Sequence, residues 1–259
     1  MATVGTTQSN DIAELRMNKK ASGVQQQLKE FLLDKISEPL PMTVKIVEGS
    51  IPIVFFGNVE KAEIATLSLN PSNIEFEHNG LRRCIDRKQL RVSDSQKLTR
   101  EQAESVYQSL LLFFKVNPYK TWFNPMNKLF QSKGYEYYND KIVHLDISPW
   151  ATSNKWDSLS REERDSIIDT TIIENVIEKR GIQKLFINGK TAFNVFCATL
   201  NINANDIQES SFIYITQNGN NRSFIIYETE IFGCKVVGWN LYIHQGCPQD
   251  LVKKINGYL

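Results

Sequence analysis

What most constrains this chain is the way its apolar runs stop. Four strand-like runs, Ala62 to Leu69, Lys141 to Ile147, Lys184 to Ile187 and Lys235 to Ile243, each give way at once to a short polar, proline- or glycine-containing segment. Those segments are Asn70-Pro71-Ser72, Asp146 to Trp150, Gly189-Lys190-Thr191 and His244 to Pro248. Between the runs lie stretches with helical spacing. Thr99 with Gln102 and Ser160 with Glu163 are capping-box pairs. The first opens a helix with core positions Ala103, Val106, Tyr107, Leu110, Phe113 and Phe114. The second opens one carrying Ile167, Ile168, Ile172, Ile173 and Ile177, stopped by Gly181. Shorter helices are expected from Trp122 to Phe130 and from Thr191 to Leu200. Alternation of this kind predicts a parallel sheet flanked by helices. In such sheets the ligand sits beyond the carboxyl ends of the strands, so the four stop segments are expected to line one crevice.

The flanks are less regular. Residues 1–22 are polar with little periodicity and are expected as a flexible tail, with one domain over 23–259. Leu28, Phe31, Leu32 and Ile36 predict a helix from about Val24 that ends before Pro39. Val44 to Val47 and Ile51 to Phe56 read as a hairpin around Gly49. Phe212 to Ile215 and Phe224 to Thr229 read as further strands, separated by an Asn218-Gly219-Asn220 turn. Pro248 suits the first position of a final helix.

Charge limits the partners. With 30 Lys and Arg against 29 Asp and Glu over 259 residues, the net charge is +1. A binder driven by charge alone is expected to be strongly basic, so any nucleic-acid contact here is local. The stretch Arg82 to Arg91, containing Arg82, Arg83, Arg87, Lys88 and Arg91, can grip a phosphate backbone, and equally can be a solvated face. No apolar run reaches the roughly 20 residues that span a bilayer. The polar start lacks a signal-peptide core, so a cytoplasmic protein without membrane contact is expected. Cys84, Cys197, Cys234 and Cys247 are too scattered for a two-ligand metal loop, and no metal or cofactor is expected.

The ordered set Ser68-Leu69-Asn70-Pro71-Ser72, Val143-His144-Leu145-Asp146, Gly189-Lys190-Thr191-Ala192 and His244-Gln245-Gly246-Cys247-Pro248 resembles the uracil-DNA glycosylase superfamily, over roughly residues 60 to 250. No element is specific alone; the order and the preceding strands carry the likeness. The resemblance implies an α/β fold, a three-layer α/β/α sandwich on a mainly parallel four-stranded sheet. It also implies a monomeric, monofunctional DNA N-glycosylase that flips a base from duplex DNA and leaves an abasic site. Extrusion costs a few kcal/mol of stacking.

By the same resemblance, Asn70 positions the attacking water and His244 donates to the oxygen of the departing base. Alternatives are an Asx turn for Asn70 and a structural role for His244. Asp146 stands where classical members read uracil with an asparagine. A carboxylate only accepts hydrogen bonds, which suits the amino group of cytosine and disfavours uracil O4. Asp146 capping a helix or pairing with a lysine is the competing reading. Ser72 replaces a tyrosine that excludes C5 substituents. Together these two imply a cytosine with a bulky C5 group, such as the hydroxymethylated or glucosylated cytosines of phage DNA, and hence antiviral defence.

Phe76 and Trp150 are candidates to stack on or wall the flipped base, or are ordinary core. Gly189, Lys190, Thr191 and Gly246 are expected at DNA phosphates, joined by Arg82 and Arg83. His78 lies in a polar loop, and His144 is read on the strand face opposite Asp146, so both have weaker claims. A wedge residue is not evident around Gln245. A uracil or mismatch repair glycosylase and a non-catalytic nucleic-acid-binding module of the same fold are the alternatives.

Overall fold

The computed structural model describes residues 7–42, 44–76, 80–216, 218–243 and 247–259, with side chains from residue 22 onward. Helix α1 spans Thr7–Ile36, so it begins within the segment expected as a tail. It buries Leu28, Leu32, Leu33 and Ile36 and stops before Pro39. The hairpin expected over 44–56 does not form. That stretch contributes only the isolated bridges Ile46↔Thr152 and Phe56↔His144. Pro52 lacks the N–H that a ladder needs. Ile51, Ile53, Val54, Phe55 and Phe56 are instead buried as an extended core segment.

Six strands form one sheet: β1 (Ile64–Ser68), β2 (Ile142–Asp146), β3 (Lys184–Asn188), β4 (Gln208–Ile215), β5 (Asn221–Ile231) and β6 (Cys234–Trp239). Their order is β2-β1-β3-β6-β5-β4. The first four in this order pair in parallel, and their cores are the four runs singled out from the sequence. The expected four-stranded sheet is therefore too small. The β4–β5 hairpin adds an antiparallel extension, because the tight turn at Phe232 and Gly233, both at positive φ, folds β6 back along β5.

The helices between are α2 (Arg87–Leu90), α3 (Arg100–Leu111), α4 (Phe113–Val116), α5 (Lys120–Asn127), α6 (Arg161–Ile167), α7 (Thr170–Arg180), α8 (Lys190–Thr199) and α9 (Gln249–Asn256). Both expected capping boxes close, with Gln102 N donating to Thr99 Oγ1 at 3.3 Å and Glu163 N to Ser160 Oγ at 3.1 Å. The helix expected from Ser160 through Ile177 is split. Ile168 is extended, and Asp169 re-caps the chain by accepting from Thr171 N. Pro248 is the residue before α9 rather than its first.

Helices cover both faces of the sheet. On one face Phe193 of α8 packs so closely on β6 that a Cβ at Gly238 would lie 2.4 Å from its ring. On the other, Trp122 and Phe123 of α5 lie against His144, with centroids 5.0 and 5.2 Å apart, and Phe130 lies against Phe186 at 5.0 Å. Among the described residues, no helix is long and apolar enough to cross a membrane.

Candidate functional site

Parallel register brings the ends of the strands into one row. Ser68 of β1 pairs with Asp146 of β2, and Asn188 of β3 pairs with Trp239 of β6. Leu67 pairs with Ile187, so Ser68 and Asn188 also stand side by side. Residues in register share a face, which places Asp146, Ser68, Asn188 and Trp239 on one face at the carboxyl edge. The order reverses around β1, the position where ligands bind in open α/β sheets.

Three members of this row, and one residue from the loop above it, carry buried polar atoms with no hydrogen-bond partner in the protein. They are Asp146 Oδ1, Ser68 Oγ, Asn188 Nδ2 and Glu75 Oε2. Their residues are 5%, 8%, 2% and 3% exposed. Asn188 Oδ1, by contrast, accepts from Trp239 Nε1 and from Ile243 N, both at 3.2 Å, which aims its amide nitrogen away from them. Leaving a buried polar group unpaired costs about 1–3 kcal/mol.

Glu75 ends the short 3-10 turn Asn73–Glu75 after β1. Its backbone carbonyl is pinned by Arg83 N at 3.1 Å and Cys84 N at 2.8 Å. Burial raises its carboxyl to about 8, against the pull of the Arg83 charge and with the help of the Asp146 charge. Arg83 stays close without forming an ion pair with Glu75: its guanidinium donates to Ile74 O at 2.9 Å and lies over the Tyr119 ring at 5.2 Å.

Behind this row runs a second polar set. His144 precedes Asp146 by two residues, so the two share a face, and the expectation of opposite faces is wrong by the period of a strand. His144 Nδ1 is 2.8 Å from Thr66 Oγ1, which is 2.9 Å from Tyr137 Oη. His144 Nε2 faces Asp146 Oδ1 at 3.6 Å, beyond hydrogen-bond reach. Burial pushes the Tyr137 phenol above its ordinary range.

Asn70 bridges the loops that follow β1 and β2. Its Nδ2 donates to Thr152 Oγ1 at 3.1 Å, Pro71 O at 3.2 Å and Trp150 O at 3.4 Å. The amide donor is occupied by the loops, which leaves Oδ1 as the atom able to orient a water. Ser72 Oγ accepts from Ile74 N at 3.3 Å and caps the turn that carries Glu75. Phe76 is buried in the main core, and Trp150 packs in a separate cluster with Trp156, Leu159 and Ile167.

Gly189, at φ 95°, precedes α8 with its backbone against Tyr242, and Lys190 and Thr191 are exposed on the first turn. Arg82 pairs with Asp86 at 3.0 Å. Arg87, counted above among the basic residues able to grip DNA, is fully buried. It donates to the carbonyls of Ser50, Ser93, Gln96 and Glu38. Its role is to tie loops together, and it is not available to a phosphate. His78, His244, Gln245 and Gly246 lie outside the described residues.

An open depression of about 570 Å³, lined by residues such as Asn203, Asp206 and Glu230, lies by the start of β6, at the opposite edge of the sheet. Sequence reasoning missed Ser68, Asn188 and Glu75. The first two were accessible to it, because each is the last polar residue of a strand entering the crevice; Glu75 follows no pattern. Compared with protein-family models and with curated proteins, the chain matches none.

Proposed function

We propose that this chain is a monofunctional DNA glycosylase that flips out a C5-modified cytosine, hydroxymethylated or glucosylated, and hydrolyses its N-glycosidic bond, in defence against phage DNA. The observation that carries the reading is Asp146 Oδ1, a buried acceptor without a partner at the carboxyl edge of β2, in register with Ser68, which separates it from Asn188. An acceptor there matches the amino group of cytosine and repels the O4 of uracil. Helices on both faces of a sheet whose core is four parallel strands agree with the three-layer sandwich that the resemblance implies.

In this reading the Asn70 Oδ1 orients the attacking water from the loop after β1, and His244 donates to the base oxygen as charge develops there. Ser72 leaves space at C5 because its short side chain is turned into its own cap. Lys190, Thr191 and the backbone at Gly189 meet a phosphate beside the flipped nucleotide. The Asn188 Nδ2, a buried donor, keeps uracil as the second reading, since it can donate to a pyrimidine oxygen.

The test is base release. Duplexes containing uracil, cytosine, 5-hydroxymethylcytosine or glucosylated 5-hydroxymethylcytosine are incubated with the protein and treated with alkali. Strand breaks at a modified cytosine are expected. Breaks at uracil alone overturn the cytosine reading, and breaks nowhere leave a binding module.

A further inference from the structure

The hydrolysis proposed above has an unanswered chemical requirement, which the site meets with a residue not yet given a role. Uracil can depart as an anion with its charge spread over two carbonyls. Cytosine has only one, and its anion is a poorer leaving group. Release of a cytosine is therefore aided by a proton delivered to N3 as the bond to C1′ breaks.

We propose that Glu75 is that proton donor, a neutral carboxylic acid held beside Asp146 so that the two carboxyl groups read adjacent atoms of the cytosine edge, Asp146 accepting from N4 and Glu75 donating to N3. The inference rests on the glycosylase reading and adds a catalytic residue to it. Four observations place Glu75 there. It follows the loop of Asn70 by one short turn, and that loop leaves the same strand end as Ser68, the register partner of Asp146. Its Oε2 is buried with no partner, as are Ser68 Oγ and Asn188 Nδ2 in the row beneath. Among the described residues no cation forms an ion pair with it. Its backbone is fixed by two hydrogen bonds from the chain at Arg83 and Cys84.

The charged and titratable groups around it are Asp146 from β2, and Arg83 and Cys84 from the loop that follows the turn. His144 and Tyr137 stand behind Asp146. Burial and the Asp146 charge outweigh Arg83 and keep the acid protonated at neutral pH. The reaction balances with no other reagent. The C1′–N1 bond breaks with its electron pair remaining on N1, the Glu75 proton goes to N3, and the base leaves neutral. The oxygen of a water bonds to C1′, and the proton it loses restores the acid at Glu75, directly or through solvent.

Single-turnover base release tests this, with wild type and Glu75→Gln compared between pH 6 and 10 on the modified-cytosine duplexes. The amide can donate a hydrogen bond but cannot transfer its proton. The wild-type rate is expected to fall tenfold per pH unit above about 8. Glu75→Gln is expected to be about 100-fold slower or more at neutral pH, with no alkaline limb and with DNA affinity within about threefold. A variant that keeps both the rate and the limb overturns the role of Glu75 and leaves the glycosylase reading standing. A wild type that releases no base from any duplex overturns both. Should Glu75→Gln fail to fold, the wild type serves alone, with its glutamate carboxyl carbons labelled and followed by NMR. A glutamate titrating in step with the alkaline limb supports the proposal, and none titrating above pH 7 overturns it.

Discussion

Replacing Asp146 by asparagine reverses the hydrogen-bonding sense of one atom at the end of β2 while preserving its size. The magnitude follows from burial. At 5% exposure, with its Oδ1 unpartnered in the protein and the nearest ring nitrogen 3.6 Å away, Asp146 has no hydrogen-bonding neighbour in the protein to compensate a mismatched base. A hydrogen bond to a charged group contributes about 1.5–3 kcal/mol, and a buried acceptor facing another acceptor forfeits about 1–3 kcal/mol. The substitution weakens the first for cytosine and relieves the second for uracil, so the two add to about 2.5–6 kcal/mol. At 1.36 kcal/mol per tenfold, that is a change of about 10² to 10⁴ in the ratio of kcat/KM values. An asparagine turned to present its own Oδ1 to the amino group recovers part of the cytosine bond, which favours the lower figure of about 10². The assay is competitive base release from duplexes carrying modified cytosine and uracil, with thermal unfolding to confirm an intact fold. A ratio changed by less than about threefold in a folded variant refutes base reading by Asp146.

Arg87→Lys keeps the charge but loses most of the bonds to four loop carbonyls, of which that of Ser50 is buried. Urea unfolding is expected to show a loss of about 2–4 kcal/mol, with DNA affinity of the folded variant unchanged. Unchanged stability with weakened binding would return Arg87 to the DNA surface. Glu75 also predicts a pH dependence of stability that needs no substrate. Its folded pKa is raised, so the native state binds the extra proton, and its contribution is full below about 4.5 and is lost as pH rises to about 8. Thermal midpoints of wild type relative to Glu75→Gln are expected to decline across that window, and parallel curves would exclude the burial of a protonated acid.

Much of the sheet was legible because its signals are local. Each parallel strand is a short apolar run with a polar stop, and Thr99 and Ser160 announce their helices through three-residue pairs that close as expected. Pairing that depends on the far partner was not legible. Ile51 to Phe56 has the composition of a strand, yet Pro52 and its surroundings make it core without a ladder. The break at Ile168 and Asp169 is equally non-local, since Asp169 N is held by Ile147 O at the end of β2. At the candidate site, Asp146 and Asn70 were singled out through their motifs. Glu75 was not, because a glutamate in a polar loop carries no mark of burial until the loop folds onto the sheet. Arg87 shows the converse, a residue whose charge suggested solvent or phosphate and whose guanidinium is consumed by four carbonyls.

The sheet itself contains the comparison that gives the last row its meaning. Two residues below the strand ends, on the same face, Tyr137, Thr66 and His144 form a continuous chain at 2.9 and 2.8 Å. Trp239 finds Asn188 Oδ1 in the same way. The fold can therefore satisfy buried polar atoms on this face, and does so wherever the protein alone supplies the partners. At the edge, four atoms from β1, β2, β3 and the Glu75 turn remain unsatisfied at about 1–3 kcal/mol each. At Ser68 an apolar residue would avoid that cost with no side-chain hydrogen bond lost, whereas Asn188 also holds Trp239 Nε1 and Ile243 N through its Oδ1. An acceptor at Asp146 with donors at Asn188 and at the protonated Glu75 forms a mixed pattern of the kind that complements the edge of a nucleobase. A purely structural row would be expected to tolerate Ser68→Ala with stability unchanged or raised and with nucleic-acid affinity intact. A row built for a base should gain stability from the same change and lose binding, and measuring the two quantities together on that variant separates the cases.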